Sequence, residues 1–309
     1  MADDGAPALP GSGQIDPGWI AVDWGTSNLR AFAMGPGGAL AEAESDDGMG
    51  RLPREGFEPA LLRLIGPWLH DHPVEVVACG MVGSRQGWHE APYRAVPCAP
   101  LDPGALIAVP TRDPRLSLRI VPGLKQAAPP DVMRGEETQI AGALALRPGF
   151  DGVLCLPGTH SKWAHVSAGE VVSFQTCMTG ELFALLSAQS VLRHGMAGDG
   201  LDEAAFDDAL TDALSRPERL AARLFGLRAE GLLSGLAPAA ARARLSGLLI
   251  GIELAATRAF WLGRPVALIG ADRLSALYAR ALAAQGAVPR AIPARNATLA
   301  GLTLAQARS

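Results

Sequence analysis

A chain of 309 residues, 49% of them hydrophobic, carries enough apolar material for substantial cores and suits one large or two medium domains. Its 27 Lys and Arg against 31 Asp and Glu leave a net charge of -4, without basic runs or interleaved basic and aromatic side chains, which argues against a nucleic-acid partner. The four cysteines, Cys79, Cys98, Cys155 and Cys177, lie far apart with no C-x-x-C pair, as in a reduced cytoplasmic protein.

Residues 1–17 contain Asp3, Asp4 and several Gly and Pro but no apolar stretch of signal-peptide length, and read as a flexible tail. An apolar strand over 20–22 then runs into Asp23 and a polar turn, with a second strand over 29–34. Gly25 lets the backbone approach a ligand, Thr26, Ser27 and Asn28 supply hydroxyls and an amide, and turn N–H groups can point at phosphate oxygens. Asp23 could hold the magnesium that accompanies a nucleotide, since that ion prefers oxygen ligands. An ordinary hairpin, with Asp and Asn present for turn formation, reads equally well from these residues alone.

A third strand is expected over 39–44, a helix over 58–70 ending before Pro73, and a buried strand over 74–79. That strand leads into a second glycine-spaced loop over 80–88, with Gly83, Ser84 and Arg85, at the kind of strand end where α/β folds take ligands. Residues 92–122 read as irregular surface structure with short strands; a helix opens at 134–139 and runs to about 146, and Pro148 and Gly149 mark a boundary.

Beyond that boundary the first pattern restarts: strand over 152–156, polar glycine turn over 157–162, returning strand over 163–166, further strand over 170–174. Two such turns could clasp a polyphosphate from both sides, with Lys162 either adding a point charge or standing as a solvated strand-edge lysine. Helices follow over 179–192, 201–214, 217–225 and 242–261. The last shows Leu245, Leu248, Leu249, Ile252 and Ala256 on one face but carries Arg244, Glu253 and Arg258, so it faces a core and does not span a membrane. An apolar strand over 266–272 ending near Gly270 leads into a helix over 274–285, a possible seat for adenosine or its phosphates, or simply a βα junction.

Other chemistries lack their residues. The chain has no G-x-x-x-x-G-K-[ST], no G-x-G-x-x-G and no G-x-S-x-G. His160 and His165 fall on opposite faces of a strand and cannot share a metal, and a Ser161–His160 hydrolase lacks an orienting acid.

Several motifs in order carry a resemblance: D-W-G-T-S-N-L-R at 23–30, M-V-G-S-x-x-G-W at 81–88, A-P-Y at 91–93, M-R-G-E-E-T-Q at 133–139, P-G-T-H-S-K-W at 157–163, M-T-G-E-L at 178–182 and S-G-L-L-I-G at 246–251. Over nearly the whole chain they resemble the 2-dehydro-3-deoxygalactonokinase family, sugar-acid kinases of the actin-like ATPase superfamily that also includes Hsp70. The resemblance implies an α/β, two-lobed, ribonuclease-H-like fold with a central active-site cleft. It implies an N-terminal lobe over 18–147 and a C-terminal lobe over 148–309. The implied reaction is ATP-dependent phosphorylation of 2-dehydro-3-deoxy-D-galactonate at its 6-hydroxyl, a step of galactonate and galactose catabolism.

Carried onto this chain, the resemblance makes Gly25, Thr26, Ser27 and Asn28 the first ATP-phosphate loop. Gly158, Thr159, His160, Ser161 and Lys162 become the second, and Gly270 marks the adenosine segment. Asp23 would act in catalysis and orient Mg2+. Arg30, Gly83, Ser84, Arg85, Thr179 and Glu181 would contact the sugar acid. Two departures stand out. No Asp occurs between Gly152 and Glu170 to serve as base, and Gly270 is followed by Ala271 where the superfamily has a second glycine. Glu136 and Glu137 are therefore the candidate base, by similarity to a G-E-E segment of the exopolyphosphatase branch. On a helix their carboxylates point about 100° apart, so only one can face a substrate. The alternatives are an exopolyphosphatase-like phosphohydrolase, a kinase for another 2-keto-3-deoxy sugar acid, or a non-catalytic sensor of the same ligands. The expected partners are sugar acid and ATP, with no nucleic acid and no membrane, and a homodimer is left open.

Overall fold

A computed structural model describes residues 15–307. Within them the chain forms two compact units, one drawn from Met1–Ala91 with Ala105–Val121, the other from Pro92–Gly104 with Pro122–Ser309. The expected tail lies outside the described residues up to residue 14. From there on the chain is already held: Ile15 packs against the first core, and its carbonyl is 3.1 Å from His70 Nε2.

In the first unit, β1 (Trp19–Trp24), β2 (Leu29–Gly35) and β3 (Gly38–Ser45) form an antiparallel meander. α1 (Phe57–Ile65) then leads to β4 (Val74–Gly80), which pairs parallel to β1. β5 (Arg94–Ala95) belongs to the other unit; β6 (Ile107–Val109) and β7 (Leu116–Ile120) complete a six-stranded sheet in the order β3-β2-β1-β4-β7-β6. The central strands are apolar on both faces because both are covered, whereas β3 alternates Ala41 and Ala43 inward with exposed Glu42 and Glu44, a charged edge that resists further pairing. α1 buries Phe57, Ala60, Leu61 and Ile65 at helical spacing. It ends well before the expected 70, because Pro67 has no N–H with which to continue the helical hydrogen bonding, and the chain tightens into a 3-10 turn over Gly66–Trp68. Part of the stretch expected to be irregular is core: β7 buries Leu116, Leu118 and Ile120 and pairs parallel to β4.

The second unit repeats the plan. β8 (Leu124–Gln126) and β9 (Asp131–Met133) join β5 in a small sheet ahead of α2 (Glu136–Leu146). β10 (Gly152–Leu156), β11 (Ser161–Ser167) and β12 (Glu170–Cys177) form a second antiparallel meander. α3 (Thr179–Ala188), α4 (Glu203–Ser215), α5 (Leu220–Leu233), α6 (Pro238–Ala256) and α7 (Arg258–Trp261) lead to β13 (Val266–Gly270), α8 (Asp272–Ala283), β14 (Arg290–Pro293) and α9 (Ala294–Gln306). The sheet order β12-β11-β10-β13-β14, with β13 and β14 parallel to β10, matches β3-β2-β1-β4-β7. Residues of β10 alternate between two cores, Leu154 and Leu156 in one, Val153 and Cys155 in the other.

The boundary expected at 147/148 lies elsewhere: α2 packs on α9 within the second unit. The two helices meet at Gly142 and Gly301, where a Cβ would collide with the backbone of Ala297 and Thr138 respectively. α6 also differs from its expected face. Leu245, Leu248 and Leu249 are buried, but so are Ala243, Ile250, Glu253 and Leu254, because helices and sheet surround it, while Ala256 is exposed. Among the described residues no helix is long and apolar enough to cross a membrane, and the four cysteines are unpaired.

Candidate functional site

Asp23 lies next to last on β1, opposite Arg30 on β2, and its Oδ2 is 3.1 Å from Arg30 Nη2. The turn between them is closed by Gly25 N–H donating to Asn28 O at 2.9 Å and leaves Thr26, Ser27 and Asn28 exposed. A neighbouring segment braces it: Met49 and Gly50 N–H donate to the carbonyls of Gly25 and Thr26, an approach possible because a Cβ at Gly48 would collide with the backbone of Ser27. In the same unit the loop after β4 buries Gly83 and Ser84, while Arg85 extends into solvent with Glu90 Oε1 at 3.5 Å.

The other expected residues assemble within the second unit. Gly135, at φ +105°, turns the chain into α2, whose first two carboxylates diverge as successive helical residues do. Glu137 is fully buried, accepting from Gly135 N–H at 2.7 Å and from the Thr138 hydroxyl at 3.0 Å. Burial, reinforced by the charge of Glu136, pushes its carboxyl up to about 8, so it is protonated at neutral pH. Glu136 stays partly accessible; its Oε2 accepts from Arg134 N–H at 2.9 Å and its Oε1 is 3.1 Å from Lys162 Nζ. The guanidinium of Arg134 lies 4.3 Å from the centroid of the Tyr93 ring.

Lys162 is no strand-edge lysine. β11 runs between β10 and β12, and the side chain is buried against Glu136. The turn before it is held by the start of α3: Glu181 N–H donates to Thr159 O, and Glu181 Oε2 lies 2.5 Å from His160 Nε2. Gly158 and Thr159 stay open, but the Ser161 hydroxyl turns into the core, 2.9 Å from the Tyr278 hydroxyl. Thr179, expected to meet the sugar acid, is buried and donates its hydroxyl to Glu253. Glu181 is committed to His160.

Beside this turn a cavity of about 440 Å³ opens within the second unit. Gly158 and Thr159 line one side, Thr179 and Phe183 of α3 another, Arg242, Ser246 and Ile250 of α6 a third, and Ala271, Leu274 and Tyr278 the last. Gly270 lies just outside it, against Ser275 and Pro157. The contribution of α6 escapes sequence reading, although Arg242, Ser246 and Ile250 are spaced four apart on one helical face. Arg242 stacks over Phe183 at 5.2 Å. Among the described residues no three or more His, Cys, Asp or Glu converge as a metal cluster.

Two sheets of matching strand order, each with a polar glycine turn between its first two strands, define the actin-like ATPase fold class. A family model described as 2-keto-3-deoxy-galactonokinase matches residues 23–305. A relative from Rhizobium meliloti (strain 1021) that bears the name of a 2-dehydro-3-deoxygalactonokinase is 41% identical over 295 residues, covering 93% of this chain and 96% of its own. The 2-dehydro-3-deoxygalactonokinase of Escherichia coli (strain K12) is 34% identical over 287 residues, covering 92% and 96%. A crystal structure of a protein from Sinorhizobium meliloti bearing the same enzyme name superposes with a TM-score of 0.86 at 41% identity, over 93% of this chain and 97% of that one. The chain belongs to the 2-keto-3-deoxy-galactonokinase family.

Proposed function

We propose that this protein transfers the γ-phosphoryl group of ATP to the 6-hydroxyl of 2-dehydro-3-deoxy-D-galactonate, giving the 6-phospho sugar acid and ADP. Family membership and the enzyme names of two relatives support the reaction. The observation that carries the site is the cavity beside the second turn, of a size typical for small-ligand pockets and bordered by both the turn and the expected adenosine segment.

In this reading the cavity takes the adenosine, and the main-chain N–H groups of Gly158, Thr159 and His160 take phosphate oxygens, with Lys162 as a fixed positive charge. The Gly25–Asn28 turn offers amides and hydroxyls suited to phosphate oxygens. Glu136 removes the proton from the 6-hydroxyl as that oxygen bonds to the γ-phosphorus and the bond to the ADP oxygen breaks. Glu137 is protonated and buried and cannot serve. Catalysis rests mainly on positioning and charge neutralisation, as in other phosphoryl transfers. Arg85, the more exposed of the two arginines considered and the one with the longer ion pair, takes the sugar-acid carboxylate; Arg30 lies closer to its partner Asp23.

The residues fit a magnesium ion. A single carboxylate at a strand end beside a phosphate turn is the donor set that ion uses when substrate phosphates and water complete its shell, and Asp23 supplies it. Bound there, magnesium would neutralise charge on the β- and γ-phosphates.

Incubation with ATP, magnesium and the sugar acid, followed by phosphorus NMR, tests the reading. A phosphomonoester coupled to the C6 protons is expected; inorganic phosphate released without the ester would refute it.

A further inference from the structure

Glu253 is 2% exposed in the middle of α6, among residues that pack an otherwise apolar core. A carboxylate in such a place is costly unless its oxygens are hydrogen-bonded. Three side chains from three other elements meet that need. Trp163 Nε1 of β11 donates at 2.7 Å, the Tyr278 hydroxyl of α8 donates at 2.8 Å, and the Thr179 hydroxyl of α3 donates to the same oxygen as Tyr278. Ser161 joins at one remove through Tyr278.

The partners are not scattered. Thr179 and Tyr278 line the cavity, and Ser161 closes the second turn. Strand alternation explains how the turn is gripped: Ser161 and Trp163 face the Glu253 side of β11, while Lys162 between them faces Glu136. The turn is thus fixed from both faces of its strand, by one carboxylate on each.

We propose that Glu253 is the positioning residue of the nucleotide site, tying the second turn, α3 and α8 into one rigid wall. The proposal rests on the reading of the cavity as the nucleotide site. Glu253 touches no substrate and acts through Thr179, Tyr278 and Ser161. A purely structural residue at this place would support the fold without favouring one substrate over the other.

The test compares Glu253→Leu, Glu253→Gln and Tyr278→Phe with wild type, using calorimetric titration of ADP and steady-state KM for ATP and for the sugar acid. Leu keeps approximate volume but no polar atom. Gln keeps a carbonyl for Trp163 and an amide for the two hydroxyls, which can rotate to accept. Glu253→Leu is expected to weaken ADP binding and raise KM for ATP about tenfold or more, what a hydrogen bond or two is worth. KM for the sugar acid should stay within about twofold, and Glu253→Gln should recover to within about threefold of wild type. If Glu253→Leu does not fold, Tyr278→Phe should still raise KM for ATP about threefold to tenfold without moving KM for the sugar acid.

A folded variant whose ADP affinity is unchanged, or whose two KM values rise together, overturns the proposal. Wild type that binds ADP without phosphorylating the sugar acid would sink the kinase reading while the ADP titrations still decide the role of Glu253. Wild type that binds no ADP overturns both.

Discussion

Glu137→Gln isolates the most unusual protonation in the second unit. The buried carboxyl keeps its proton up to about pH 8, whereas in the unfolded chain it ionises near its ordinary value of 4.5. Between these values this carboxyl holds a proton in the fold that it lacks in the unfolded chain, so its contribution to stability is largest below pH 4.5 and falls as pH rises, by about 1.4 kcal/mol per pH unit. Across the window this amounts to about 5 kcal/mol, and above pH 8 the loss stops growing. Gln cannot ionise; its carbonyl can still accept from Gly135 N–H, and its amide faces the Thr138 hydroxyl, which can rotate to accept. The variant should therefore match wild type near pH 4.5 and become progressively more stable than it up to pH 8, as read by urea midpoints of both proteins at each pH. Its kcat should stay within severalfold of wild type, since Gln reproduces the neutral carboxyl already present. Midpoints of the two proteins that run parallel from pH 5 to 8 would show that Glu137 holds no proton in the fold.

Four further outcomes follow from the same geometry. Glu136→Gln should lower kcat by about 10² to 10⁴ with little change in ADP affinity, the usual contribution of a placed base; most of the kcat surviving at saturating substrate would move the base elsewhere. Asp23→Asn should abolish turnover in a protein whose circular dichroism is unchanged, because it removes the one charge assigned to magnesium at the first turn, and a near-normal kcat would reject that role. Arg85→Ala should raise KM for the sugar acid at constant kcat, and an unchanged KM would free the carboxylate for another donor. Gly142→Ala should cost about 1–3 kcal/mol of stability in chemical denaturation, because its methyl meets the Ala297 carbonyl across the α2–α9 contact.

Both glycine turns and the strands around them were legible because each is local: an apolar run, then a cluster of turn-forming polar residues, then another apolar run. The restart of that pattern after residue 150 announced the second sheet. What stayed hidden depends on pairings far apart in sequence. Pro148 and Gly149 end a helix, yet they mark no unit boundary, since the partner of α2 is α9 and Gln139 meets Thr298 across 159 positions. Lys162 could have stood on an edge until β12 covered its strand. Glu253 read as a polar interruption of an apolar helix, because nothing near it in sequence reveals the Trp, Tyr and Thr that hold it. Helical geometry separated Glu136 from Glu137 in principle; the burial of Glu137 and the Lys162 contact of Glu136 decide between them.

A sugar-acid kinase of this kind consumes ATP only to phosphorylate its sugar acid. A coupled assay of ADP release, run with ATP and magnesium across a panel of 2-keto-3-deoxy sugar acids, addresses it directly. No ADP is expected without a sugar acid, and the highest kcat/KM is expected with 2-dehydro-3-deoxy-D-galactonate. ADP release at the same rate whether or not a sugar acid is present, or a clear preference for a different stereoisomer, would contradict that activity.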